Sequence, residues 1–203
     1  VGLPEVNLGI LPGAGGTQRT PRLIGFRNAA TMVLQCRNQK PEQALEMGLV
    51  HELAPVAEIV ERARAWVLES GDPEQPWDKK GFKVPGGSGG MHPATVQAFM
   101  AGNAMVAEKT QHRYPAPISI MSCVYEGTQL PMDKGLKIEL QYFTRLLAGP
   151  VGRNMIRTLF IDKGAADKLV RRPEGVPRSQ VKKLGILGAG MMGAGIAYVS
   201  AYA

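Results

Sequence analysis

Two stretches of this chain carry residue types whose spacing suits chemistry, and the first spans residues 4–18, PEVNLGILPGAGGTQ. Glu5 lies eight residues before Gly13, the first glycine of the turn Gly13–Gly16. A positioned carboxylate exchanges protons in general acid–base catalysis, and the N–H groups that open a following helix favour negative charge. On spacing alone, a surface or capping acid is the simpler interpretation of Glu5.

The second stretch is Gly188-x-Gly190-x-x-Gly193, which follows an apolar run and precedes a segment rich in Ala and Ile. This context predicts a β-strand over residues 183–187 and a helix from Gly190 to the end of the chain. Gly188 would allow a tight turn, Gly190 a close approach of a pyrophosphate to the backbone, and Gly193 close packing of helix on strand. The predicted dinucleotide-binding residues are Gly188, Gly190, Met191, Met192 and Gly193. A plain strand–turn–helix corner is the alternative.

Composition narrows the classes of ligand and partner that the chain could bind. The formal charge of +7 over 203 residues suits attraction of a phosphate-bearing ligand or simply a solvated surface. The basic residues form no single stripe and accompany no nucleic-acid module, so nucleic-acid binding is not predicted. Cys36 and Cys123 have no metal-ligand or redox spacing and are expected to be reduced thiols. No apolar run has the length of a membrane span.

Apolar periodicity and the positions of proline and glycine predict a mostly helical chain. Residues 1–12 are expected to be extended, residues 71–92 to form a long loop, and residues 171–180 to form a linker rich in proline and charge. The predicted helices span residues 15–23, 29–35, 41–47, 55–68, 93–110, 116–129, 132–147, 151–161, 163–170 and 190–203.

Residues 4–19 and the downstream run AxxxGLV, Ala44–Val50, resemble the second half of the active site of enoyl-CoA hydratases (crotonases). Hydration of a 2-enoyl thioester brings water to the β-carbon and a proton to the α-carbon, which two carboxylates can serve. The resemblance implies that Glu5 is one of these, with its partner upstream of Val1. It also implies that Gly13 opens the following helix and that its N–H hydrogen-bonds at the reacting centre.

Residues 184–197, LGILGAGMMGAGIA, resemble the opening strand, glycine turn and helix of 3-hydroxyacyl-CoA dehydrogenases. This resemblance implies NAD as the cofactor. The acid that holds the ribose hydroxyls should follow about 20 residues later, beyond Ala203. The catalytic histidine of that family also lies further on, and the histidines of this chain match no such position.

The order of these two stretches resembles the alpha subunit of multifunctional fatty-acid β-oxidation enzymes. It implies an internal fragment of such an enzyme, an acyl-CoA substrate that includes coenzyme A, a thiolase subunit as partner and a bacterial-type cytoplasmic location. Some members also shift the double bond of 3-enoyl-CoA, and Glu5 could serve there. Each active site would need groups that lie outside residues 1–203, so the chain alone is expected to be inactive in both reactions.

The resemblance predicts a mostly helical α/β fragment in three parts. Residues 1–110 would be the C-terminal part of a crotonase-like hydratase domain. Residues 111–180 would be a helical linker that spaces the two active sites, and residues 181–203 the first strand, turn and helix of a Rossmann domain.

Two rival hypotheses stay open on the residues alone. One is a simple dinucleotide-binding oxidoreductase with an unrelated helical N-terminal domain, against which the Glu5 and Gly13 motif argues. The other is a helical interaction segment without activity. Lys79, Lys80 and Lys83 could contact a coenzyme A phosphate, although a solvated loop explains them more simply.

Overall fold

A computed structural model describes residues 1–70, 72–88, 92–177 and 180–202, and all regular structure in them is helical. The α-helices are α1 (Gly16–Gln35), α2 (Pro41–Glu46), α3 (Ile59–Ser70), α4 (Pro93–Thr110), α5 (Pro115–Gly127), α6 (Met132–Ala148), α7 (Pro150–Met155), α8 (Lys163–Asp167) and α9 (Met191–Tyr202). 3-10 turns occupy Glu5–Leu8 and Pro76–Asp78, and a π-helical segment occupies Ile156–Asp162. None of the described helices has the length and apolar character needed to cross a membrane.

Prolines set several of these helix starts. Pro41, Pro93, Pro115 and Pro150 begin α2, α4, α5 and α7, where a missing N–H costs no intrahelical hydrogen bond. The predicted helices at 93–110 and 132–147 are confirmed to within one residue by α4 and α6.

Helix α1 replaces two separately predicted helices. It continues from Gly16 to Gln35 across a kink at Gly25, whose φ of +80° and ψ of 164° are not helical. A side chain there would bring its Cβ to 2.7 Å from the Pro85 carbonyl oxygen. Glycine therefore serves both the left-handed backbone and the close approach of the segment that contains Pro85.

Residues Val1–Gly164 form one compact unit. Helix α5 packs against α1, α4 and α6, and its apolar side chains are therefore buried on several sides. The main buried cluster is Val6, Leu11, Phe26, Val33, Ala116, Ile120, Met121, Cys123, Val124 and Leu146. Helices that follow residue 110 thus share a core with residues that precede it. The proposed domain boundaries themselves stay a prediction.

Residues 1–12 were predicted to be extended, but part of this segment is helical. Residues 5–8 form a 3-10 turn in which the Asn7 N–H donates to the Pro4 carbonyl oxygen and the Gly9 N–H to the Val6 carbonyl oxygen, each at 3.0 Å. The described residues offer this segment no neighbouring strand, so its backbone groups bond locally.

Residues Ala165–Ala203 form a second compact unit. The predicted strand at 183–187 is absent from its described part, and α9 begins at Met191 rather than Gly190. A strand forms only against a hydrogen-bonded neighbour, and the described residues provide none. Residues 71 and 89–91 of the predicted loop, 178–179 of the predicted linker and 203 of the predicted last helix lie outside the described residues.

Candidate active site

Glu5 stands at the start of the 3-10 turn, next to the buried Val6. Its side chain is half-buried, and Oε2 has no hydrogen-bond partner among the described groups. A buried polar atom without a partner is costly, and such atoms in native structures need an explanation, such as a catalytic role, strain or a bound water. Glu5 Oε2 is therefore a buried acceptor whose hydrogen-bonding capacity the described residues leave unused.

The glycine turn Gly13–Gly16 leads into α1, and Glu139 of α6 holds this junction. Glu139 Oε1 accepts a hydrogen bond of 2.6 Å from the Gly15 N–H. Oε2 accepts bonds from the Thr17 N–H at 3.0 Å and the Thr17 hydroxyl at 2.5 Å. Only 2% of Glu139 is exposed. The carboxylate thus satisfies N–H groups that the helix start leaves without an intrahelical partner, at the end where the dipole favours negative charge.

Helix α6 also contacts the turn through Phe143. A Cβ built on Gly13 would lie 2.5 Å from Phe143 Cδ2, so the Gly13 backbone rests directly against the ring. A Cβ on Gly15 would lie 3.3 Å from a methyl group of Leu136. One face of α6 therefore forms the wall behind the glycine turn.

A row of buried polar side chains fixes the first turns of α1 to α5. Gln18 Nε2 donates to the Cys123 carbonyl oxygen at 3.1 Å, and Gln18 Oε1 accepts from Arg22 at 3.0 Å. Arg22 also donates to the carbonyl oxygens of Gly127 and Leu130 at 3.0 and 2.9 Å. Burial lowers the pKa of Arg22 from its ordinary value. These bonds give the residues after the turn a fixed place.

Cys123 lies beside this row and is a buried free thiol. Its Sγ is 3.2 Å from Thr17 Oγ1, and burial raises the pKa of the Cys123 thiol to about 12. The thiol is therefore neutral near pH 7, and only the thiolate is strongly reactive. The described residues also contain no cluster of three or more His, Cys, Asp or Glu side chains suited to a metal ion.

A largely apolar cleft of about 440 Å³ lies among α1, α4 and α5. Its lining includes Val6 and Asn7, which directly follow Glu5, and the apolar side chains of Met105 and Met121. Lys109 also borders it. The cleft therefore combines apolar walls with a basic side chain at its border, a combination suited to an apolar chain with an anionic end.

The C-terminal glycine turn lies in the second compact unit. Gly188 has a φ of +97°, and a Cβ on Gly193 would overlap the Gly188 carbonyl oxygen. A Cβ on Gly190 would meet nothing within 4 Å. Met191 and Met192, at the first positions of α9, are 89% and 72% exposed. The structure thus forms a turn with open backbone at a helix N-terminus, and the assignment of these residues to a cofactor stays a prediction.

Glu139 and Phe143 were not predicted from the sequence to be parts of the site. A signal was present in the sequence, because Glu139 shares a face of α6 with Gly135 and Leu146, which are both buried. An acid on such an apolar face predicts a specific polar partner. The identity of that partner, a glycine turn far away in the sequence, carries no local signal.

Comparison with known proteins agrees with the motif at the N-terminus. Residues 1–72 match the family model for enoyl-CoA hydratase/isomerase. A structure of an enoyl-CoA hydratase from Geobacillus kaustophilus HTA426 aligns with 87% of this chain and 50% of its own, at 25% identity and a TM-score of 0.34.

The curated relatives extend the similarity over the whole chain. It is 38% identical over 202 residues to the fatty acid oxidation complex subunit alpha of Shewanella putrefaciens, and 36% identical over 203 residues to that of Shewanella amazonensis. Each alignment covers 98% of this chain and 28% of the relative. The chain therefore spans less than a third of the length of these relatives. The predicted resemblance is confirmed: residues 1–72 match the enoyl-CoA hydratase/isomerase family, and the chain as a whole is similar to one segment of fatty acid oxidation complex alpha subunits.

Proposed function

We propose that this chain is a segment of a bifunctional fatty-acid β-oxidation enzyme that hydrates 2-enoyl-CoA and oxidises 3-hydroxyacyl-CoA with NAD. The similarity to fatty acid oxidation complex alpha subunits and the hydratase/isomerase match support the pathway and the first reaction. A thiolase partner subunit and a cytoplasmic location belong to the same proposal.

The observation that carries the hydratase proposal is the Glu5 carboxylate, with a buried Oε2 that has no partner among the described residues. In hydration, the water oxygen bonds to the β-carbon of the enoyl thioester, and a proton is added to the α-carbon. Glu5 would hold the water or transfer its proton, sharing this work with a second carboxylate supplied from outside the described segment.

Gly13 would act through its backbone. The turn that contains it opens α1, whose N-terminal end favours negative charge. During addition, negative charge develops on the thioester oxygen, and preorganised N–H donors stabilise such charge. The Gly13 N–H suits this role because Phe143 of α6 packs against Gly13, and Glu139 of α6 holds the neighbouring Gly15 N–H.

The dehydrogenase half of the proposal has its support in the C-terminal turn. The open backbone at Gly190, the exposed first residues of α9 and the contact between Gly193 and Gly188 fit a pyrophosphate held by N–H groups. NAD, when bound, would accept the hydride from the substrate. The residues that would hold it are Gly188, Gly190, Met191, Met192 and Gly193.

Glu5→Gln in the full-length enzyme tests the proposal. The substitution preserves size and removes proton transfer, so hydration of a short 2-enoyl-CoA should fall about 10²–10⁴-fold. NAD-dependent oxidation of 3-hydroxyacyl-CoA by the same preparation should stay at the wild-type rate. Glu46→Gln, an exposed glutamate at the end of α2, is the matched control. Hydration by Glu5→Gln within a fewfold of wild type would remove Glu5 from the mechanism.

A further inference from the structure

We propose that Glu139 of α6 is a positioning residue for hydration, holding the Gly13–Gly16 turn in its reactive geometry. This inference rests on the proposed hydratase function. It assigns part of the hydratase site to a helix outside the residues that match the hydratase/isomerase family, since that match ends at residue 72.

The setting of Glu139 is unusual for an acid. It is almost fully buried, and among the described residues it forms no ion pair with a Lys or Arg side chain. A buried carboxylate is costly unless hydrogen bonds compensate for the lost water. Three donors from Gly15 and Thr17 provide that compensation, and two of them are backbone N–H groups. Among the described residues, all the hydrogen bonds of this acid come from the start of α1.

The N–H groups that Glu139 binds belong to the glycine-rich turn and the residue that follows it. The turn contains Gly13, Gly15 and Gly16, and glycine has the largest backbone freedom to lose on ordering. Glu139 ties the N–H groups on both sides of Gly16 to a single carboxylate, and Phe143, one turn further along α6, rests on Gly13. Helix α6 therefore fixes the turn from one side at two points.

Glu139 is a positioning residue and not a second proton-transfer group. Both of its carboxylate oxygens accept hydrogen bonds, and Oε2 accepts two. Because the Thr17 hydroxyl donates its only proton to Oε2, the nearby Cys123 thiol is left to donate to Thr17 Oγ1. The network is thus satisfied within the protein and offers no open oxygen to a substrate.

Glu139→Gln in the full-length enzyme tests the proposal. The carboxamide has one acceptor oxygen, so it faces at least one of the former donors with an NH₂ group. A turn displaced by about 1 Å costs on the order of 10²-fold in rate, and we expect hydration kcat per folded molecule to fall about 10–100-fold. The KM for the 2-enoyl-CoA should stay within about threefold, because the change acts on the reacting geometry.

Glu126→Gln is the matched control. Glu126 also joins α5 to α6, accepting a 2.7 Å bond from Tyr142, but it is exposed and does not touch the turn. Its kcat and KM should equal those of the wild type. Thr17→Val, which removes a single hydroxyl donor at similar volume, covers the case in which Glu139→Gln does not fold, and should lower kcat by several-fold with KM unchanged.

Each result bears on a separate claim. Wild-type enzyme without hydratase turnover refutes the proposed function itself. If the wild type is active, an unchanged kcat per folded molecule in Glu139→Gln overturns the role of Glu139. A rise in KM alone overturns it as well. If only Thr17→Val folds, an unchanged kcat in that variant overturns it equally.

Discussion

Gly13→Ala places a methyl group against the ring of Phe143 and tests how tightly α6 supports the glycine turn. The new Cβ would lie 2.5, 2.8 and 2.9 Å from three ring carbons, whereas carbon atoms in contact are optimally about 3.5–4.0 Å apart. The turn or the ring must therefore move by about 1 Å. Overpacking of this kind costs about 1–3 kcal/mol of stability, and a displacement of about 1 Å lowers a rate on the order of 10²-fold.

The assay compares hydration kcat in the full-length enzyme for wild type, Gly13→Ala, Phe143→Ala and the double variant. The Gly13 N–H is retained in alanine, so a loss reports displacement and not a missing donor. In the double variant the methyl group gains the space of the ring, and hydration should recover at least tenfold relative to Gly13→Ala. Gly164→Ala is the control, since a Cβ there meets nothing within 4 Å. A Gly13→Ala enzyme with wild-type hydration, or no recovery in the double variant, would refute the reasoning.

Two further predictions concern the second unit and the buried thiol. Gly190→Ala should weaken NAD binding, measured by titration, because the new methyl group would occupy the space of a pyrophosphate. The fold should tolerate alanine, since position 190 is open and outside the left-handed φ region. Gly195→Ala, equally open on α9, should bind NAD as the wild type does, and equal affinities in all three proteins would reduce the turn to a structural corner. Because burial raises the pKa of Cys123 from 9.0 to about 12, the unfolded chain loses this proton at lower pH than the folded protein, and stability should decline as pH rises from about 9 towards 12. Urea unfolding at about pH 8 and about pH 10 should show a smaller loss in Cys123→Ala than in wild type, and identical losses would contradict the assigned burial effect.

The helices were largely predictable from sequence because their signals are local. Proline at the first position marks the starts of α4 and α5, and glycine follows α6 at Gly149. Glu5 and Gly13 were identified because their motif is contiguous and resembles a known family. What failed was the structure that depends on partners. The strand at 183–187 needs a neighbour, and the described residues contain none.

The support of the candidate site could not be predicted for the same reason. Glu139 and Gly15 are separated by 124 residues, and no periodicity in either segment indicates that they meet. The sequence does show an acid on the apolar face of α6, which requires a compensating group. No lysine or arginine among the described residues pairs with it, so the requirement is met by backbone N–H groups. Glycine at position 13 lets α6 approach the turn closely, because a side chain there would meet Phe143. The glycine turn and the face of α6 therefore constrain each other, and substitutions on either side should change the same hydration step.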